Sequence, residues 1–323
     1  MRVDVPIVDL TDANAAVENI ARAASTSGFF FVRDPRGDDG KALTDDMFKA
    51  AQSFFDTLTS EEKQRAMPLN AHNRGYTRYQ EETLDSTGAA REGDTKEGVY
   101  IGREAAAEEE GFALVGPNAW PDETKHECVK GFRAAMEAYY EHAREIGMRL
   151  LPIFAQILNV EETFFNEKWT PTHNCLLRPL KYAAVASDVN VGRYAAGAHS
   201  DYGALTILKV LDDEPGLEIL TADGTWYAVP PEPDVFIVNF GDLMERWSNG
   251  KLRSTKHRVM TNGKNARYSC AFFFEPDYDT IIEPIASDAE PKYEPIRFGD
   301  YLIGRYNETH EDFAKNGVGE NAS

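Results

Sequence analysis

The stretch from Ala196 to Leu208 reads AGAHSDYGALTIL. It is apolar and branched like a core strand, yet it carries a histidine and an aspartate with one residue between them. Successive side chains on a strand alternate faces, so His199 and Asp201 are expected to point one way and Ser200 the other. An imidazole nitrogen and a carboxylate oxygen converging on one spot form part of a facial site for a divalent metal, and a further ligand must come from elsewhere. His257, in RSTKHRVM, is the candidate. It follows the turn signal SNGK, sits in a strand-like stretch, and lies far enough along the chain for several strands to return it to the same place. The other histidines, His72, His126, His142, His173 and His310, fall in helical or loop-like segments and compete less well.

Working outward, ARYSCAFFFEP places Arg267 and Ser269 on one face of a second strand. A guanidinium fork beside a hydroxyl is suited to holding a carboxylate, because arginine offers two parallel donors and serine a third. Around these strands, turn signals such as DDEPG, ADGTW, SNGK and TNGK divide the chain beyond about Asn174 into short antiparallel strands, the pattern of a barrel or jelly roll. The N-terminal part differs. VPIVDL reads as a strand, the segment after it as an amphipathic helix ending near Gly28, and Phe29–Val32 as another strand, so the chain opens β-α-β. TDDMFKAAQSFFDTL and the long run from Gly131 to Leu158, with Pro152 inside it, read as helices. Between them TGAAREGDTKEGVYIGREAAAEEEGF, rich in charge and glycine, reads as surface loop, and the polar tail after Arg305 as loosely held. The fold class expected is mainly β with flanking helices around a jelly-roll core. One domain is expected over 1–323, made of an N-terminal β-α-β and helical part (1–130), a scaffold helix (131–173) and a catalytic core (174–305).

Composition removes several functions. Fifty-four acidic residues against 34 basic ones give a net charge of -20, which repels nucleic acid and anionic lipid. Cys128, Cys175 and Cys270 are widely separated and odd in number, which fits a reducing compartment better than a disulfide framework. There is no apolar leader after Arg2 and no run of about 18 apolar residues, so a cytoplasmic protein with a small-molecule partner, neither membrane nor nucleic acid, is expected, with a monomer favoured.

With these elements in order, the sequence resembles the iron(II)- and 2-oxoglutarate-dependent oxygenases of the isopenicillin N synthase-like superfamily. The likeness runs from VPIVDL and SGFFFV through NRGYTRYQEE and DTKEGVYIG, and is strongest across HSDYGALTIL, VNFGDLMERWSNGKLRSTKHRV and RYSCAFFFEP. It implies a distorted double-stranded β-helix of the jelly-roll type. His199, Asp201 and His257 match the family's two-histidine, one-carboxylate iron ligands; Arg267 and Ser269 match the pair that holds the distal carboxylate of 2-oxoglutarate; Tyr182 matches a strand tyrosine that contacts the cosubstrate in several members. Dioxygen is the remaining reactant, and hydroxylation, desaturation or ring closure are the outcomes open to the family. An oxidase that uses iron and dioxygen without 2-oxoglutarate, as isopenicillin N synthase and aminocyclopropane-carboxylate oxidase do, and a catalytically silent binding protein on the same scaffold are the alternatives. Asn239, Gly241 and Asp242 are expected to shape a turn, Gly203 to allow a close approach, and Trp226, Trp247 and the Phe272–Phe274 run to be mostly core. Arg74 and Arg78, four apart in NRGYTRYQEE, are expected at the active-site mouth, where they would give an anionic substrate such as an amino acid or other carboxylate a local cationic spot in an acidic protein.

Overall fold

The computed structural model describes residues 3–85, 87–105, 112–211, 215–285 and 290–309. The chain opens with β1 (Ile7–Val8), α1 (Ala13–Ser25) and β2 (Phe29–Arg33), and β1 pairs in parallel with β2 across the helical crossover. Asp12 caps α1 by accepting from the Ala15 N–H, and the apolar face of the helix buries Ala16, Ile20, Ala23 and Ala24. Then come α2 (Asp38–Thr57), α3 (Ser60–Ala66), β3 (Gly75–Thr77), β4 (Lys96–Gly102) and α4 (Phe132–Leu158), which continues unbroken through Pro152. The remaining strands follow almost without helices: β5 (Leu176–Tyr182), β6 (Ala196–His199), β7 (Leu205–Val210), β8 (Leu217–Leu220), β9 (Trp226–Ala228), β10 (Val235–Phe240), β11 (His257–Val259) and β12 (Arg267–Phe274). Only α5 (Asp242–Trp247) interrupts them, and α6 (Phe298–Thr309) closes the described chain.

These twelve strands form an eight-stranded sheet in the order β1-β2-β10-β7-β12-β5-β4-β3 and a four-stranded sheet in the order β6-β11-β8-β9, and a separate two-stranded ribbon pairs Ile281–Ile282 with Ile296–Arg297. Alternation along β12 shows how the two layers are built. Tyr268, Cys270, Phe272 and Phe274 point outward into the main core, where Phe272 meets Tyr140 of α4 edge-on with ring centroids 4.9 Å apart and Phe274 packs over Gly147. Arg267, Ser269, Ala271 and Phe273 point the other way, between the sheets. There the second layer closes on two apolar clusters, one joining Phe29, Phe31 and Val235 to Leu217 and Ile219, the other joining Leu180 and Tyr182 to Ala195, Ala196 and Val259. The metal-ligand candidates lie between the two clusters. Fully burying one such side chain stabilises by roughly 1.5–3 kcal/mol, so both ends of the sandwich are firmly pinned. This is the jelly-roll architecture with flanking helices.

Two expectations change. Lys96–Gly102, read as surface loop, is the buried strand β4, paired to β3 and β5. Its charges misled the reading because they are internally matched: Lys96 pairs with Asp94 and, at 3.4 Å, with Glu82, while Glu97 meets Lys63 at 2.6 Å. The tail after Arg305 begins as the last turn of α6, and Arg305 anchors to Asp242 at 2.8 Å. Positions 310–323, parts of the long acidic loop and most of DDEPG lie outside the described residues.

Candidate metal centre and substrate pocket

His199 ends β6 and His257 begins β11; the two are direct cross-strand partners, with ring centroids 4.4 Å apart. Asp201 is not on the strand. Its segment turns sharply, because the Asp201 carbonyl accepts the Asp242 N–H at 2.8 Å and the carbonyls of Tyr202 and Gly203 accept the Leu243 N–H, satisfying donors that the start of α5 would otherwise leave unpaired. The two glycines make that approach possible: a Cβ on Gly241 would overlap the Gly203 carbonyl, and one on Gly203 would overlap the Glu275 carboxyl. The turn brings Asp201 Oδ1 to 3.7 Å from His199 Nε2 and 3.6 Å from His257 Nε2. All three ligand atoms lie within 4.8 Å of one another, a spacing that one divalent cation can close.

Each ligand is oriented by its outer atom. His199 Nδ1 faces the Gly197 carbonyl at 2.7 Å and His257 Nδ1 the Thr255 carbonyl at 3.1 Å, which fixes the proton on Nδ1 and turns the Nε2 lone pair inward. Asp201 Oδ2 accepts from Thr206 Oγ1 at 2.6 Å and from Asn239 Nδ2 at 2.8 Å, leaving Oδ1 free. Burial, reinforced by the neighbouring His257, pushes His199 down to about 4, so its nitrogen is unprotonated at neutral pH. For Asp201 burial acts upward, but the two histidines and the bonds from Asn239 and Thr206 outweigh it and hold the carboxyl below its ordinary range. Asn239, read as a turn former, is an orienting partner inside β10. Asp242 keeps its turn role, joining Ser200 at 3.0 Å, Ser254 at 2.7 Å and Arg305.

Arg267 and Ser269 lie further along the inner face of β12. Arg267 stands opposite Tyr182 in register, with its guanidinium 5.1 Å from the tyrosine ring, and Ser269 Oγ is 3.5 Å from the Tyr182 hydroxyl. Arg267 is 4% exposed, its Nε has no hydrogen-bond partner, and among the described residues it has no carboxylate to pair with. A buried guanidinium in that state is costly unless an anion completes it. This set fits a carboxylate.

A pocket opens beside His199 and Asp201, lined by Arg74, Leu84, Tyr100, Arg178, Phe273 and Glu275 among others. Arg74 is 4% exposed and donates to the carbonyls of His72 (3.0 Å) and Leu114 (2.9 Å); its Nε has no partner, and burial lowers its affinity for the proton. The structure does not bring Arg78 there. β3 ends at Thr77 and the chain turns, with Glu81 N–H bonding the Arg78 carbonyl, so the Arg78 side chain faces solvent, 59% exposed and 3.1 Å from Glu81. Sequence reading missed the pocket residues Arg178, which forms a buried ion pair with Glu82 behind it, and Glu275. The signal for Glu275 was present, since it continues the 267-269-271-273 alternation of β12.

Comparison with known proteins agrees with this geometry. Residues 174–276 match the model of the 2OG-Fe(II) oxygenase superfamily, and residues 5–123 match that of the non-haem dioxygenase in morphine synthesis N-terminal region. A 2-oxoglutarate-Fe(II) type oxidoreductase of Emericella nidulans is 32% identical across 91% of this chain and 84% of its own length. The chain belongs to the 2OG-Fe(II) oxygenase superfamily. A 2-oxoglutarate-dependent dioxygenase of Monascus ruber is 34% identical over 87% of both chains. Among solved structures, a full-length Neurospora crassa protein in complex with alpha-KG superposes with a TM-score of 0.80 at 28% identity, covering 94% of this chain and 96% of that one. This family member is an iron(II)- and 2-oxoglutarate-dependent dioxygenase acting on small molecules, and the triad and Arg267, which has no carboxylate partner among the described residues, suit that pair of cofactors. Among the described residues no helix is long and apolar enough to cross a membrane.

Proposed function

We propose that His199, Asp201 and His257 hold the iron, that Arg267 and Ser269 with Tyr182 hold the far carboxylate of 2-oxoglutarate, and that the substrate is a small carboxylate anchored by Arg74. Bound iron(II), 2-oxoglutarate and dioxygen supply the oxidising chemistry. The chain's own residues do the rest: the two imidazoles present their Nε2 atoms, Asn239 and Thr206 aim one oxygen of Asp201, and Leu84, Leu114, Phe273 and Leu302 keep the pocket apolar and water-poor. The observation that carries the substrate reading is Arg74, a buried guanidinium without an acidic partner among the described residues, in the pocket that His199 and Asp201 also line. The neighbouring Arg178 is already neutralised by Glu82, so Arg74 is the better anion anchor. Three free cysteines, two of them buried, support a reducing, cytoplasmic setting.

The test is succinate release from 2-oxoglutarate with panels of carboxylic acids and their methyl esters. Acids should accelerate release and esters should not. Arg74→Gln should weaken the stimulating acid about tenfold or more, since a charge-assisted hydrogen bond contributes roughly 1.5–3 kcal/mol, while uncoupled succinate formation persists. Equal stimulation by acid and ester, or an unaffected Arg74→Gln variant, refutes the carboxylate reading.

A further inference from the structure

Glu275 follows the last residue of β12 on the inward face that also carries Arg267, Ser269 and Phe273. It is 5% exposed and lines the same pocket as Arg74 and His199. Its Oε2 accepts the Ala204 N–H at 2.9 Å, at the end of the turn that holds Asp201. Its Oε1 makes no hydrogen bond among the described residues and lies where a side chain on Gly203 would have to go. No lysine, arginine or histidine among the described residues is within ion-pair distance of it, although Arg178, Arg74 and His199 line the same pocket. The arginine that could have neutralised it, Arg178, is committed to Glu82 on the other wall.

An isolated buried carboxylate is among the least favourable groups a protein can hold, and it takes up a proton instead. Burial is the main cause here and pushes Glu275 up to about 8, with the Asp201 charge a lesser one. Because Oε2 is occupied as an acceptor, the proton belongs on Oε1. That places an O–H donor in the pocket.

We propose that Glu275 is a neutral carboxylic acid that donates a hydrogen bond to an uncharged acceptor on the substrate, such as a ketone, amide or ring carbonyl. This rests on reading the pocket as the substrate site. With Arg74 it describes a bifunctional ligand, a carboxylate at one end and a neutral acceptor on the Glu275 side. An ammonium group beside Glu275 is disfavoured, because it would face a donor.

The experiment uses the full chain loaded with iron(II) and 2-oxoglutarate and held without dioxygen. Infrared difference spectra between wild type and Glu275→Gln at neutral pH should contain a protonated-carboxyl stretch belonging to the wild type. Levulinate, a ketone and carboxylate in one small molecule, isotopically labelled at its ketone, should shift that stretch to lower frequency; 4-aminobutyrate should not. Levulinate should bind Glu275→Gln, which keeps a donor, within about threefold of wild type, and Glu275→Leu about tenfold more weakly. Absence of the stretch, no shift at high millimolar levulinate, or a Gln variant as weak as the Leu variant overturns the proposal. 2-Pentanone, which lacks the carboxylate, separates this from the Arg74 reading: if it shifts the stretch and binds as well as levulinate, Glu275 donates as proposed while the carboxylate anchor fails.

Discussion

Replacing Glu275 by glutamine should stabilise the protein, and by an amount that depends on pH in a defined way. Its burial raises the native carboxyl from the ordinary 4.5 to about 8. Between these values the native state keeps a proton that the unfolded chain releases, so the contribution of Glu275 to stability is most favourable below 4.5 and is lost progressively as pH rises through 8. Each pH unit in that window removes about 1.4 kcal/mol, so at pH 7 the wild type stands about 3 kcal/mol below what the same fold would have with an uncharged isostere. Glutamine supplies that isostere, with an oxygen to accept from Ala204 and an amide to face the pocket. Denaturant unfolding of both proteins from pH 5 to pH 9 measures the difference directly. Near pH 5 the gap should be about 1 kcal/mol or less, and it should widen to about 3 kcal/mol at pH 7. Parallel pH profiles, or a glutamine variant that is less stable at pH 7, would refute the claim that Glu275 is held neutral.

The other expectations concern the groups around the metal. Asn239→Ala removes one of the two bonds on Asp201 Oδ2 and should lower affinity for iron(II), or for manganese(II) as a stand-in, by roughly 10–100-fold in anaerobic titration; unchanged affinity would mean that Thr206 alone orients the carboxylate. Arg267→Lys loses the planar fork and should raise the KM for 2-oxoglutarate more than about tenfold with a smaller effect on kcat, and an unaltered KM would move the cosubstrate elsewhere. Gly203→Ala drives a methyl into the Glu275 carboxyl and should destabilise by about 1–3 kcal/mol, part of which Gly203→Ala combined with Glu275→Ala should recover in thermal unfolding. Additive effects of those two substitutions would show that the two residues do not press on each other.

The parts of this molecule that were legible in the sequence are those governed by short-range periodicity. The β-α-β opening and α4 follow from apolar spacing, and Arg267 with Ser269 from strand alternation, whereas Asp201 lies past the end of β6 and reaches His199 through a turn that alternation does not describe. What sequence could not supply was pairing between distant segments. Lys96 and Glu97 look like solvent-facing charges until Asp94, Glu82 and Lys63 are brought beside them. Asn239 looks like a turn residue until β10 and β7 lie side by side and aim it, with Thr206, at Asp201. Arg74 and Arg78 are indistinguishable in sequence, and a single turn after Thr77 puts one inside and the other in solvent.

The inner face of β12 gives these details a common cause. A strand rising about 3.3 Å per residue with alternating faces sets Arg267, Ser269, Ala271, Phe273 and Glu275 in one row about 26 Å long, through the sandwich and out to the pocket. Among the described residues, the row begins with a buried cation lacking a carboxylate partner, passes a side chain no larger than a methyl, and ends with a buried acid lacking a cationic partner. Had the two ends been adjacent they would have neutralised each other and left no site. Their separation on one rigid strand keeps each group dependent on what binds, the guanidinium on an anion and the acid on an acceptor, while Ala271 leaves space between them. The outer face of the same strand, Tyr268, Cys270, Phe272 and Phe274, is fixed against the helical core, so neither end can move toward the other to relieve its isolation.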